Sequence, residues 1–402
     1  MQAIHDRVPE ELIRQAIKDG ATDPSLGSEQ QWIAVTEYIN DRGIDPWPAR
    51  RAQLALNSVP LTELLKWLAT DVLVAAPLME AFTSHDTSIE HAVVRVPPAE
   101  VGAMASWFGR NTGSEVSIVD AEAIGGGFSR RMWRVNLVID GISTAVIVRI
   151  EQGGMFGTDT VTEVEAMRAL HNVGHAVPKV LAVETSGEIL GQPFFVMEAV
   201  PGVVRLDNQG LDDIISSVAE LHQVPISVLD SSGRSAESVV HDNIEYWRQM
   251  YRHYVPESPL IEHGAEWLHK NLLPTGPSVI VHGDAGPGNA LFDPERGLTT
   301  IDWEFAHVGD AAEDWAYLAL IRGRRIMDAD AWKTRLVRVA GVEYTTEQWQ
   351  QWLAFNHYRG ACVNLSAKSV FERGPRRTTD QLSIGIAVHL RFLLQLTQIT
   401  CA

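Results

Sequence analysis

The chain has 402 residues, with 51 Asp and Glu against 33 Lys and Arg, for a formal net charge of −18. That charge repels phosphate backbones and anionic lipid surfaces, which sets nucleic acid and membranes aside as partners. Hydrophobic residues at 45% and charged residues at 21% describe a folded globular chain, and the length exceeds what one core covers, so two or three packed units are expected. Only Cys362 and Cys401 are present. Two cysteines build neither a disulfide framework nor a zinc site, and the acidic N-terminus lacks the basic and apolar regions of a signal peptide, so a cytoplasmic location is expected.

Residues 1–112 read as a helical extension. Leu12, Ile13, Ala16 and Ile17 repeat at helical spacing, with Gly20 as a stop. Ser28 and Gln31 form a capping-box pattern before Trp32, Ile33, Val35 and Ile39. A third segment starts near Pro60. Its apolar stretch, residues 61–82, is interrupted by Glu63, Lys66, Asp71, Pro77 and Glu80, so it reads as amphipathic and not as a membrane span. A fourth segment runs from Pro97 through Val101, Met104, Trp107 and Phe108. None of these carries a catalytic pattern; packing or oligomerisation suits them, and a homodimer is left open.

Residues 113–202 change texture and predict a β-rich unit. Residues 115–124 are strand-like, Trp133, Val135, Leu137 and Ile139 alternate, and Asp140-Gly141 leads into the apolar run 144–150. Asp-Gly between two such runs signals a hairpin. A helix over residues 160–172 and strands over 177–184 and 193–200 complete the unit. Residues 203–402 are mainly helical, apart from a β-rich island over 278–303 with short runs at 279–281, 290–292 and 298–301.

The densest polar cluster lies in that island: His282-Gly283-Asp284-Ala285-Gly286-Pro287-Gly288-Asn289, then Asp302-Trp303-Glu304. Asp284 and Asn289 span a loop closed by Gly and Pro, and a second carboxylate, Asp302, follows one hairpin later. Mg²⁺ takes hard oxygen ligands and keeps several waters, so a carboxylate and an amide oxygen beside nucleotide phosphates suffice to hold it. Upstream, Gly125-Gly126-Gly127-Phe128-Ser129 sits between two predicted strands, where glycines let backbone amides approach phosphates. A glycine run alone is more often a plain turn. No Walker A pattern occurs.

HGDxxxxN followed by an apolar strand and IDWE resembles the aminoglycoside phosphotransferase and choline kinase-like family of small-molecule kinases, over roughly residues 115–402. The resemblance implies an α+β, bilobal protein-kinase-like fold with a β-rich nucleotide-binding lobe and a mainly helical lobe. It implies Asp284 as the catalytic aspartate, with Asn289 and Asp302 as the ligands of Mg²⁺. It also implies ATP or GTP as co-substrate, seated by the glycine turn and by Arg149 on the third strand. Glu163, on the following helix, matches the partner carboxylate of Arg149, with Glu165 as fallback, although Thr160-Val161-Thr162-Glu163 is equally a capping box. Residues 194–202 resemble the hinge, with Met197 at the adenine pocket and the Glu198 and Val200 backbone facing the base. His282 is expected to hold the loop, His222 to be structural on a scaffold helix, and Asp310 and Asp314 to brace the loop or cap a helix over residues 311–321. The IDWE variant and Trp267, Leu268, Asn271, Leu272, Leu273 and Pro274 resemble the acyl-CoA-dehydrogenase-associated branch, which implies a hydroxyacyl thioester or another hydroxylated metabolite as acceptor. An antibiotic acceptor, or a catalytically inactive nucleotide-binding module, stays open at this point. The acceptor pocket is expected between the helices around residues 246–254 and 355–371, which carry Trp247, Tyr251, His253, His357, Tyr358, Arg359 and Asn364, although core packing explains most aromatics at helical spacing.

Overall fold

The computed structural model describes residues 98–124, 129–255, 257–373 and 384–401, with isolated positions at 15–21, 23, 25, 34, 96 and 381. The chain divides into two compact units, Met1–Asp86 with Pro375–Ser383, and Thr87–Gly374 with Ile384–Ala402. In the first, residues 15–18 are helical and Gly20 follows at φ 73°, as its glycine stop predicts. The predicted segments around Ser28 and Pro60, and Gly125, Gly126, Gly127 and Phe128, lie outside the described residues.

The second unit opens with helix α1 (Pro98–Thr112), followed by β1 (Val116–Ile124), β2 (Arg130–Ile139) and β3 (Ile142–Glu151). Helix α2 (Thr160–Asn172) then leads to β4 (Val180–Glu184) and β5 (Phe194–Glu198). The five strands form one antiparallel sheet in the order β1-β2-β3-β5-β4. Asp140 and Gly141 join β2 to β3 at φ 50° and 83°, both positive as a tight hairpin turn with the twist of the strands requires.

Strand alternation sorts the side chains of this sheet onto two faces. Trp133, Val135 and Leu137 of β2, Val146, Val148 and Ile150 of β3, and Phe194 and Val196 of β5 share a core with Val101, Met104, Ala105 and Phe108 of α1. Helix α1, read from sequence as part of the extension, is therefore packed on the sheet. The opposite face carries Phe195 and Met197, which pack on Val164, Met167 and Leu170 of α2 and on Trp303. Arg130, Met132 and Arg149 fall on that second face by the same two-residue period.

The helical part follows with α3 (Asn208–Leu221), α4 (Ala236–Tyr254) and α5 (Pro259–Asn271). The island is built from β6 (Val279–Val281), β7 (Ala290–Asp293), β8 (Gly297–Thr300) and β9 (His307–Gly309), paired β6-β9 and β7-β8. Then come α6 (Ala311–Ala316), a π-helical turn at Tyr317–Arg322, α7 (Ala329–Ala340), the long α8 (Thr346–Arg373) and α9 (His389–Thr400). Acidic side chains fix several helix starts. Asp159 accepts from Thr162 N at 2.7 Å, Asp207 from Gly210 N at 2.8 Å, and Asp328 from Ala331 N at 2.9 Å. No helix among the described residues is long and apolar enough to cross a membrane.

Phe194 is fully buried and meets the Trp107 ring edge-on at 4.8 Å between centroids, so it ties α1 to the sheet. Phe194→Ala is expected to cost about 3–5 kcal/mol through lost burial and a cavity. Denaturant unfolding checks this; a loss below about 1 kcal/mol would mean that α1 does not stabilise the sheet.

Candidate active site

The loop from His282 to Asn289 joins β6 to β7, and α6 holds it by its backbone. Asp314 accepts His282 N at 2.8 Å, Gly283 N at 2.9 Å and the His222 ring at 3.1 Å. Burial pushes the Asp314 carboxyl up, but the hydrogen bond and charge of His222 prevail and hold it below the usual range. Gly283 sits at φ 76°, and a Cβ there would lie 2.5 Å from Phe305 O and 3.0 Å from Arg359 Nη1, so only glycine fits. Arg359 binds the Gly283 carbonyl and pairs with Glu313 at 2.8 Å. His282 places Nε2 3.0 Å from Ile301 O and its ring 4.5 Å from Trp303. Asp310 caps α6 through Ala312 N at 2.8 Å and accepts from Thr275. These four bracing residues sit where the sequence put them.

Asp284 is 5% exposed and heavily donated to. Asn289 Nδ2 donates to its carbonyl at 2.9 Å and to Oδ2 at 2.7 Å. Arg322 donates Nε to Oδ1 at 3.1 Å and Nη2 to Oδ1 at 2.8 Å and Oδ2 at 2.6 Å. Burial raises the Asp284 carboxyl, yet the Arg322 guanidinium, with a Tyr317 hydrogen bond, overrides it and leaves the carboxyl below its ordinary range. Burial and the adjacent Asp284 charge push the Tyr317 phenol up to about 12. The sequence reading missed Arg322: it lies 38 residues beyond Asp284, in a stretch with no motif.

Ile301 N donates to Asn289 O at 3.0 Å, which sets Asp302 beside Asn289. Asp302 has φ 68°, one of three non-glycine residues with positive φ among those described. Aspartate tolerates this conformation better than most residues, and it is uncommon enough to mark a constrained position. Arg149 Nη2 lies 2.8 Å from Asp302 Oδ1 and 2.9 Å from Glu163 Oε1. Glu163 is 1% exposed, so it faces the arginine and leaves the capping to Asp159; Glu165 is exposed.

A second buried arginine joins this cluster. Arg130 of β2, paired opposite Glu151, lies 3.6 Å from Glu163 and 3.8 Å from Glu304. Glu304 also accepts from Ser129 Oγ at 2.8 Å and Thr158 Oγ1 at 3.1 Å. The Ser129 hydroxyl is thus engaged by Glu304. Three carboxylates (Glu163, Asp302, Glu304) face two guanidiniums. Burial first and the Asp302 charge second raise Glu304 to about 7, and burial raises Glu163 against the pull of Arg149 and Arg130. Arg130 Nε and Nη1 and Arg149 Nε are buried donors without a hydrogen-bond partner among the described residues. Arg130 was legible only as a strand residue two positions from Met132, on the face of Arg149.

At the hinge, Met197 is buried in the core against α2. The Glu198 amide donates to Lys179 O at 2.9 Å and the Ala199 amide to Ala145 O at 3.3 Å, while the Glu198 carboxylate pairs with Arg296. Among the described residues no partner meets the Val200 amide. The expected acceptor residues are largely structural. Trp247, Tyr251 and Tyr358 belong to the main core. The Tyr251 hydroxyl bonds Glu262, the Tyr358 hydroxyl bonds Ile244 O at 3.1 Å, Arg359 braces Gly283, and Asn364 bonds Gly360 O at 2.6 Å. Aromatics at helical spacing were packing residues here.

Glu304 predicts a pH effect on stability. In the folded chain its carboxyl keeps a proton up to about pH 7 against an ordinary 4.5, so the stability linked to that proton fades as pH rises between the two values. Glu304→Gln is expected to match the wild type at pH 5 and to gain in relative melting temperature towards pH 8 in metal-free buffer. A difference that stays constant across that range would show that Glu304 does not hold the proton.

The model of the phosphotransferase enzyme family, APH, matches residues 120–354. Acyl-CoA dehydrogenase family member 10 of Mus musculus is 29% identical over 238 residues, covering 50% of this chain and 22% of that protein. Member 11 of Homo sapiens is 26% identical over 174 residues, covering 39% and 22%. The match thus spans little more than a fifth of these relatives' length. Among solved structures, choline kinase LicA from Streptococcus pneumoniae aligns with a TM-score of 0.53 at 16% identity, over 74% of this chain and 99% of that one. A candidate aminoglycoside phosphotransferase from Ralstonia eutropha gives 0.53 at 21% identity, over 75% and 98%. With the family model spanning the sheet, the loop from His282 to Asn289 and the start of α8, the chain belongs to the phosphotransferase enzyme family.

Proposed function

We propose that this chain is a kinase that moves the γ-phosphoryl group of ATP or GTP to a hydroxyl of a small molecule, with Asp284 as the catalytic residue and Asn289 and Asp302 as the ligands of Mg²⁺. The observation that carries this reading is the stitching of the three residues: Asn289 is bonded to Asp284 at 2.7 Å, and Ile301 N ties Asp302 to Asn289. Asn289 spends its amide hydrogens on Asp284, so its carbonyl oxygen is the atom for a cation; Asp302 keeps an oxygen beyond the one that Arg149 holds. Oxygen donors of this kind suit Mg²⁺, which completes its shell with water and phosphate. When bound, the ion would neutralise charge on the β- and γ-phosphates. The buried, unpartnered donors of Arg130 and Arg149 fit an anionic ligand such as a triphosphate.

Phosphoryl transfer needs mainly alignment and charge neutralisation from the protein. The glycine turn at residues 125–127 with Phe128 and Ser129, together with Arg149 steadied by Glu163, would seat the triphosphate. Met197, Glu198 and the Val200 amide would border the base. Asp284 would orient the acceptor oxygen in line with the γ-phosphorus. The new O–P bond forms as the bond to the β,γ-bridging oxygen breaks; the electron pair leaves with the nucleoside diphosphate and the hydroxyl proton passes to Asp284. We favour a hydroxyacyl thioester or another hydroxylated metabolite as acceptor over an antibiotic, which the similarity to acyl-CoA dehydrogenase family members supports. A cytoplasmic setting and a homodimer fit this reading.

A coupled assay of nucleoside diphosphate release over hydroxylated acyl-CoAs, sugars, amino alcohols and antibiotics tests it. Asp284→Asn is expected to lower kcat by about 10²–10⁴, the size of ordinary general-base help. Asp302→Ala is expected to remove Mg²⁺-dependent turnover while the circular dichroism spectrum is retained. Either variant turning over at the wild-type rate would refute the assignment.

A further inference from the structure

The resting site has no room on Asp284 for an acceptor hydroxyl. An ionised carboxylate offers about four lone-pair directions. Arg322 Nε and Nη2 meet Oδ1, Arg322 Nη2 and Asn289 Nδ2 meet Oδ2, and the Tyr317 hydroxyl also bonds the carboxylate. Asn289 belongs to the loop itself and also bonds the Asp284 carbonyl, so it is fixed. Arg322 is the movable member. Its side chain is 44% exposed while that of Asp284 is 7% exposed, and it comes from a π-helical turn on the helical side of the site. Its stem runs past Gly286, where a Cβ would stand 3.1 Å from its Cβ and Cγ.

We infer that Arg322 is a specificity-determining residue: it leaves Asp284 for a carboxylate or phosphate carried by the acceptor close to the hydroxyl, and so frees Asp284 only when an anionic hydroxy compound is bound. This rests on the kinase reading above and narrows its acceptor to a hydroxylated metabolite with a free carboxylate or phosphate near the hydroxyl, which a hydroxyacyl thioester does not carry.

Two observations favour the acceptor over the nucleotide as the anion that draws Arg322 away. The triphosphate side already has two buried guanidiniums, Arg130 and Arg149, with unpartnered donors. Arg322 is instead followed on the helical side by a second cation, Arg324, which is exposed two residues on in the turn Gly323–Arg325. The exchange is also balanced in charge: a planar guanidinium trades one bidentate oxyanion partner for another, which an ammonium or a neutral side chain cannot do.

Calorimetric titration of the full chain with glycerate, glycerol 3-phosphate, glycerol and choline at low ionic strength tests the proposal. Glycerate and glycerol 3-phosphate separate a carboxylate from a phosphate as the recognised group, and glycerol is the matched neutral control. The wild type is expected to bind at least one anion more tightly than glycerol by about 10–100-fold, as expected for a bidentate charge-assisted pair. Arg322→Ala is expected to erase that ratio, Arg322→Lys to keep part of it, and Arg324→Gln to reduce it while leaving glycerol unchanged. The last two variants keep Asp284 paired and so guard against simple loss of folding. Equal binding of all four probes by the wild type, or an anion ratio untouched in Arg322→Ala and Arg322→Lys, overturns the proposal. Nucleoside diphosphate release that depends on Asp302 alongside equal binding would sink this inference alone. Anion binding through Arg322 with no transfer to any acceptor would instead sink the kinase reading.

Discussion

The site depends on a charge imbalance buried between the sheet and the β-rich island. Arg149 reaches Glu163 on one side and Asp302 on the other with a single nitrogen, and Arg130 stands behind it against Glu163 and Glu304. Three acids against two bases leave an excess of negative charge, and burial makes that excess costly. The structure answers in two ways. Burial and the neighbouring Asp302 raise Glu304 to about 7, and once Glu304 is ionised the cluster is short of one positive charge beside the position proposed for a divalent ion. The same contacts join parts distant in sequence: α2, β2, β3 and the segment after β8. Positioning of Asp302 is therefore inseparable from the packing of the sheet.

Most of the architecture was readable from spacing. The alternation of β2 and β3, the Asp140-Gly141 turn and α2 at Thr160–Asn172 follow the pattern of apolar residues directly, because each element is amphipathic and bounded by a turn or a cap. The loop was readable because its chemistry is local: Gly283 must take φ 76° against Phe305, and Asn289 must reach back five residues to Asp284. Glu163 was ambiguous on the page of sequence, since one carboxylate can cap a helix or serve an arginine. Burial decided it, with Asp159 free to take the cap.

What the sequence hid shares a cause. Arg130 and Arg322 act through tertiary contacts with no fixed offset from the residues they serve. Arg130 has a strand period but no motif; Arg322 lies in a π-helical turn, whose departure from 3.6-residue spacing breaks the helical pattern that would have shown its face. The aromatic helix faces misled in the opposite direction. Trp247, Tyr251 and Tyr358 looked like a pocket lining, yet they fill the core between α4, α5 and α8. Large side chains at helical spacing bury area first, and only their polar tips find partners.

On the proposed reading the arginines divide two tasks between them. Arg130 and Arg149 are buried and come from the sheet, on the side proposed for the nucleotide. Arg322 is half exposed and comes from the helical side, the side proposed for the acceptor. A guanidinium resting on the catalytic carboxylate has a chemical consequence beyond selectivity. With Asp284 so engaged, a water molecule reaching the γ-phosphoryl group would find no base, so on the proposed reading the same contact would also suppress hydrolysis of the nucleotide in the acceptor's absence. Selection and protection then rest on one ion pair, that of Arg322 with Asp284.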